Sequence, residues 1–221
     1  MPLAAHHVDD LSDGLLALGE QGSVSGRVEE KLRQYLALLT KWNKVYNLTA
    51  ITEPEQMIIQ HVLDSLAIAE PLDSLLLRKH GARVLDVGSG AGLPGIPLAI
   101  ARPAWQLTLL DSNSKKTAFI AQAAAEIGLS NVSVATARAE SFVSAPFDVI
   151  VCRAFSSLRD FVTKTRSLLV PAGWWAAMKG GVPHEELREL PRDVECLDIQ
   201  RLQVPGLDAE RHLLLLKVKA E

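Results

Sequence analysis

Little cysteine, no long apolar run and no surplus of positive charge set the first bounds on this 221-residue chain. Its two cysteines, Cys152 and Cys196, lie far apart and in no CxxC pair. Neither a disulfide framework nor a zinc site is therefore indicated, and a reducing cytoplasm is the expected setting. No apolar stretch reaches the length that spans a bilayer. Residues 1–13 lack the basic start and continuous apolar run of a secretory signal. The formal net charge is -3 and the pI near 6.1, so the chain offers no global attraction for phosphate, and any nucleic-acid contact must come from a local basic patch. There is no internal repeat, low-complexity tract or constellation of metal ligands.

What is present is an ordinary globular composition, 48% apolar and 22% charged, at a length that suits one sizeable α/β domain with a modest extension. Residues 1–26 carry Gly14, Gly19, Gly22 and Gly26 among polar residues and read as a flexible arm or a marginal helix. Residues 27–80 read as a helical extension. Leu32, Tyr35, Leu39, Trp42 and Tyr46 recur at steps of three and four, which predicts one continuous apolar helix stripe. A second helix is expected from Pro54, suited to a first turn, through Ile58, Val62 and Leu66 toward Pro71.

From residue 81 to 221 short apolar runs alternate with amphipathic segments, the pattern of a doubly wound, mostly parallel sheet. Strands are expected over 83–87, 106–110, 132–136, 148–152 and 174–178, with helices over 94–101, 114–127 and 158–169. Two last strands, over 197–204 and 212–218, flank Pro205-Gly206 and are too close for a crossover helix, so they should form an antiparallel hairpin.

The chemistry concentrates where the first strand runs into Gly88-Ser89-Gly90-Ala91-Gly92, a turn whose missing side chains let a ligand approach the backbone. Gly90, Gly92 and Gly95 also satisfy a literal GxGxxG, so the turn alone is ambiguous between cofactors. Asp86, just before the glycines, suits the cationic methionine part of S-adenosylmethionine and would repel a dinucleotide pyrophosphate. Asp111, ending the next strand, can accept the ribose hydroxyls of an adenosine, a role open to NAD as well. Both acids could instead cap the helices that follow. Ala139-Glu140, after the third strand, either borders an adenine or simply starts a solvated helix.

Motifs for other methyl acceptors are missing. After the fourth strand stands Val151-Cys152-Arg153-Ala154-Phe155, not the (Asp/Asn/Ser)-Pro-Pro-(Tyr/Phe) segment used on exocyclic amines. Cys152 follows Val151, not proline, and should point into the sheet instead of attacking a cytosine. A ring nitrogen such as guanine N7 already carries an in-plane lone pair and needs alignment more than a base.

Lys41-Trp42-Asn43-Lys44 with Asn47-Leu48-Thr49, then His61-Val62-Leu63-Asp64-Ser65-Leu66, then Asp86 through Gly95, closely resemble the bacterial small-subunit (16S) ribosomal RNA guanine-N7 methyltransferase family, RsmG, formerly glucose-inhibited division protein B. The resemblance runs over about 29–179 and implies a class I S-adenosylmethionine-dependent methyltransferase, Rossmann-like in fold. It further implies that Gly88, Leu93, Ala139, Glu140 and Arg153 contact the cofactor, with Asp86, Gly90 and Asp111 beside them. Arg153 is expected to touch cofactor or guanine, its alternative being a salt bridge to a nearby carboxylate. Gln60 stands where relatives often have Arg, and Leu93 replaces a common Phe while keeping an apolar wall. Lys41, Lys44, Lys115, Lys116 and Lys179, with Arg159, are the candidate RNA-facing cations, and His61 and Asp64 are expected to form a structural pair. Trp42 and Tyr46 are assigned to packing rather than base stacking. Expected partners are 16S ribosomal RNA or the small subunit, without DNA, membrane or metal, for a monomer. The competing readings are a methyltransferase for a small molecule or protein, and a binding module without methyl transfer.

Overall fold

All seven strands expected from the apolar runs form, and they assemble into a single sheet. The computed structural model describes residues 11–19, 26–76 and 79–219. Strands β1 (Arg83–Val87), β2 (Gln106–Asp111), β3 (Val132–Thr136), β4 (Phe147–Cys152), β5 (Leu169–Lys179), β6 (Val194–Arg201) and β7 (His212–Val218) lie in the order β3-β2-β1-β4-β5-β7-β6. The first five are parallel, and β7 runs antiparallel to both β5 and β6. The expected hairpin is therefore present.

Near-continuous apolar strands are needed because both faces of a doubly wound sheet are covered. In β7, Leu213 and Leu215 enter one core while Leu214 and Leu216 enter the other. The first core takes helices α1 (Leu11–Ala17), α2 (Gly26–Tyr46), α3 (Pro54–Met57), α4 (Asp64–Leu66), α5 (Ala69–Leu75), α6 (Gly95–Ala101) and α7 (Ser114–Ile127). The second core takes α8 (Leu158–Thr165), through Leu158, Phe161 and Val162. A short helix, α9 (His184–Arg188), buries no residue and so left no periodic signal to read.

The stripe on α2 docks as expected, with Leu32, Tyr35 and Leu39 fully buried at about 1.5–3 kcal/mol each. Trp42 packs on Phe119 at 5.6 Å and on Tyr46 at 5.1 Å, although Tyr46 itself is 43% exposed. The Tyr35 hydroxyl donates to the Ala91 carbonyl at 2.8 Å, so the front helix is pinned to the glycine turn. Of residues 1–26, positions 1–10 and 20–25 lie outside the described residues, and Leu11 and Leu15 of α1 are buried, with Gly14 against Leu63.

Several boundaries differ from expectation, and β5 begins at Leu169, ahead of the expected 174. The helix from Pro54 is interrupted by a π-helical segment, Ile58–Leu63, and Pro71 sits in the first turn of the new helix α5, where its missing N–H costs no bond. Helix α8 ends at Thr165 in a 3₁₀ turn, Arg166–Leu168, and Leu169 already belongs to β5. Strand β6 starts at Val194 and stops at Arg201, because Leu202 and Val204 bury their side chains from a loop instead of continuing the ladder. Among the described residues no helix is long and apolar enough to cross a membrane, and no group of three His, Cys, Asp or Glu is placed to hold a metal.

Candidate active site

Parallel strands in this order deliver β1, β2 and β4 side by side, so the turns after them share one edge of the sheet. The turn after β1 is tied to β2 by Gly88 and Ser89 N–H groups donating to the Leu110 carbonyl at 2.8 and 3.1 Å. Gly88 has φ +72°, and a Cβ there would meet nothing within 4 Å, so bare backbone faces open space. A cleft of about 540 Å³ occupies that space.

Gly88, Gly90, Leu93, Asp111, Ala139 and Glu140 line this cleft, and Arg153 closes one side. Asp111 accepts the Gly90 N–H at 2.9 Å and the Asn113 N–H at 2.8 Å, one on each oxygen, and each oxygen keeps a lone pair for a hydroxyl donor. Asn113, not Asp111, caps α7. The set fits an adenosine-bearing ligand: a glycine cradle, an acid at the end of β2, and apolar walls from Leu93 and buried Ala139.

Asp86 does not line the cleft. It lies beneath the turn, fully buried, where Oδ2 accepts the Gly95 N–H at 2.9 Å and Oδ1 has no partner. Burial pushes its carboxyl up to about 7 against the pull of that N–H and of Arg153. A Cβ on Gly95 would come within 2.7 Å of Asp86 Oδ2 and of Leu109 Cγ, so only glycine allows α6 this close to β1 and β2. Cys152 is buried in the sheet as expected, and burial pushes its thiol far up.

The front motifs form a relay into the site. Asn43 accepts the Thr49 N–H at 2.8 Å and donates to the Thr49 carbonyl at 3.0 Å. Thr49 in turn meets His61 Nε2 at 2.9 Å, and Leu48 and Thr49 border the cleft. The expected His61–Asp64 pair is not made. Asp64 instead takes Arg211 Nε on Oδ1 at 2.9 Å and Arg153 Nη1 on Oδ2 at 3.5 Å. Arg153 also donates to the Gln60 carbonyl at 3.0 Å. Burial, aided by Arg153, holds His61 down to about 4, so it is neutral at pH 7. Burial raises Asp64, with the two guanidiniums pulling back against it.

The candidate RNA-facing cations are scattered. Lys116 lines the cleft, as does Lys164, which sequence reasoning missed. Lys179 lines a second hollow beside the cleft but is paired with Glu186 at 2.9 Å. Lys44 borders a surface hollow at the end of α2, while Lys41, Lys115 and Arg159 are exposed and line neither the cleft nor the hollow beside it. Arg211 and Lys164 sit in stretches where nothing in the local pattern marks them out.

The strand order, the antiparallel seventh strand, the glycine turn and the acid ending β2 together define a class I methyltransferase fold. Solved structures share it: a glycopeptide N-methyltransferase, MtfA, complexed with S-adenosylhomocysteine, has a TM-score of 0.57 at 12% identity, over 68% of this chain and 87% of that one. An S-adenosylmethionine-dependent methyltransferase from Aquifex aeolicus has a TM-score of 0.54 at 18% identity, over 75% and 94%. The particular family is narrower. Residues 28–214 match rRNA small subunit methyltransferase G. Ribosomal RNA small subunit methyltransferase G of Methylibium petroleiphilum is 49% identical over 217 residues, covering 96% of each chain, and that of Laribacter hongkongensis is 51% identical over 96% of this chain and 98% of its own. The chain belongs to this family and is a methyltransferase.

Proposed function

We propose that this enzyme methylates N7 of a guanine in the 16S RNA of the small ribosomal subunit, using S-adenosylmethionine. The observation that carries the substrate is the match of residues 28–214 to rRNA small subunit methyltransferase G, and the engaged state of the titratable groups beside Arg153 is consistent with N7 as the atom. His61 is neutral with Nε2 engaged by Thr49, and Asp64 is held by two guanidiniums. Exocyclic amines need a proton removed; N7 presents a lone pair and does not. When bound, the cofactor supplies a methyl group on a sulfonium.

The chain's own task is positioning. Asp111 would hold the ribose hydroxyls, the Gly88 backbone would leave room for the methionine portion, and Leu93, Ala139 and Glu140 would border the adenine. Arg153, which lines both the cleft and the hollow beside it, would lie at the boundary of cofactor and acceptor. Alignment of a bound pair of this kind replaces a bimolecular encounter and accounts for much of the rate. The enzyme works as a cytoplasmic monomer on RNA, with Lys116 and Lys164 lining the cleft, and has no role on DNA.

The test is transfer of labelled methyl from S-adenosylmethionine to small subunits, or their extracted RNA, from cells lacking this enzyme, followed by nucleoside analysis. Labelled 7-methylguanosine is the expected product. Label in any other nucleoside, or none in RNA, overturns the reading.

A further inference from the structure

Beside the cofactor cleft, and sharing Arg153 with it, lies a second hollow of about 350 Å³. Its walls come from separate stretches of chain: Gln60, His61 and Asp64 from the front helices, Lys179 from the end of β5, and Arg211 from just ahead of β7. That volume falls in the range of small-ligand pockets, roughly 300–1,000 Å³. Resting on the function proposed above, we propose that this hollow seats the acceptor guanine and that Arg211, held in place by Asp64, reads its O6.

Four observations point the same way. First, Arg153 lines both the hollow and the cleft, so the two are neighbours. Second, part of the wall, Gln60 and His61, belongs to the π segment Ile58–Leu63, a rare distortion that recurs at functional sites. Third, His61 Nδ1 is buried and has no hydrogen-bond partner, although the residue lines the hollow. Fourth, donors are left over. Arg211 spends Nε on Asp64 and Nη1 on the Glu210 carbonyl, and among the described residues its Nη2 has no partner. Lys179, by contrast, is spent on both oxygens of Glu186.

The chemistry distinguishes guanine from adenine. Guanine carries the acceptor O6 next to N7, whereas adenine carries a donor amine at that position. A free guanidinium N–H meets O6 favourably and meets the amine as donor against donor. Donation to O6 alone leaves the N7 lone pair unpaired, as methylation requires, with Arg153 on the side toward the cleft. Asp64 is a positioning residue here: at 3% exposure its carboxylate is too deep to meet the base first, and it orients Arg153 and Arg211 from behind.

The experiment measures kcat and KM for small-subunit RNA, and the Kd of S-adenosylhomocysteine, in the full chain and in Arg211→Ala and Arg211→Lys. The lysine variant keeps a cation beside Asp64 and so guards against loss of the fold. Both variants are expected to lose at least about tenfold in kcat/KM for RNA, the size of one good base contact, while the cofactor-product Kd stays within about twofold. Wild-type turnover in Arg211→Ala, or full turnover in Arg211→Lys, overturns the assignment, as does a parallel fall in cofactor affinity. A wild-type enzyme that transfers no methyl to RNA instead removes the function on which the inference rests.

Discussion

Replacing Asp86 with asparagine should reshape how stability depends on pH. In the folded chain burial lifts the Asp86 carboxyl to about 7, whereas an unfolded aspartate titrates near ~3.9. The native state therefore holds the proton over a window in which the unfolded state has released it. Stability is highest below the unfolded value, falls as pH rises from about 4 to about 7, and is level above that. At about 1.4 kcal/mol per pH unit the whole window is worth about 4 kcal/mol, of which about 2 kcal/mol lies between pH 5.5 and 7.5. Asparagine does not titrate, and its carbonyl can still accept the Gly95 N–H. The difference in unfolding free energy, Asp86→Asn variant minus wild type, should thus move in favour of the variant by about 2 kcal/mol across that interval. Urea unfolding at four or five pH values measures it. Taking the difference cancels other groups, including His61, whose pKa of about 4 has the opposite effect and costs stability as pH falls below its unfolded value. A difference that stays constant within about 0.5 kcal/mol would refute the raised pKa and the burial argument behind it.

Other perturbations separate stability from ligand binding. Gly95→Ala should cost about 1–3 kcal/mol, because its Cβ has no room between Asp86 and Leu109; a melting temperature equal to wild type would contradict that packing. Gly88→Ala meets no protein atom and should cost only the left-handed backbone, about 1–2 kcal/mol, yet calorimetry should show S-adenosylhomocysteine affinity down at least about tenfold. Tyr35→Phe leaves the Ala91 carbonyl unpaired in the core, and urea titration should show a loss of about 1–2 kcal/mol. Arg153→Ala should abolish most methyl transfer in the labelled assay while near-ultraviolet circular dichroism stays unchanged.

The strands were legible because an α/β sheet covered on both faces demands short apolar runs, and β1, β3 and β7 begin and end where those runs do. The cleft was legible for a similar reason. Gly88, Gly90 and Asp111 line it because of backbone geometry and position at strand ends, both local properties that travel with the residues themselves. Asp86 shows the limit of that reasoning. Its charge suggested a ligand contact, but the orientation of its side chain was decided by the helix docking above it, and it turned inward to the Gly95 N–H.

What the amino-acid order determined alone was the alternation of elements, the glycine turn and the family motifs, all encoded within a few residues of one another. What only the tertiary structure decided was the company each polar side chain keeps. Asp64 is 89 residues from Arg153 and 147 from Arg211, and His61 meets Thr49, not its helical neighbour Asp64. The π segment that exposes the Gln60 carbonyl to Arg153 has no local signature either. Those contacts depend on how the front helices settle on the sheet edge, a balance of packing across the whole molecule that no short stretch of chain contains.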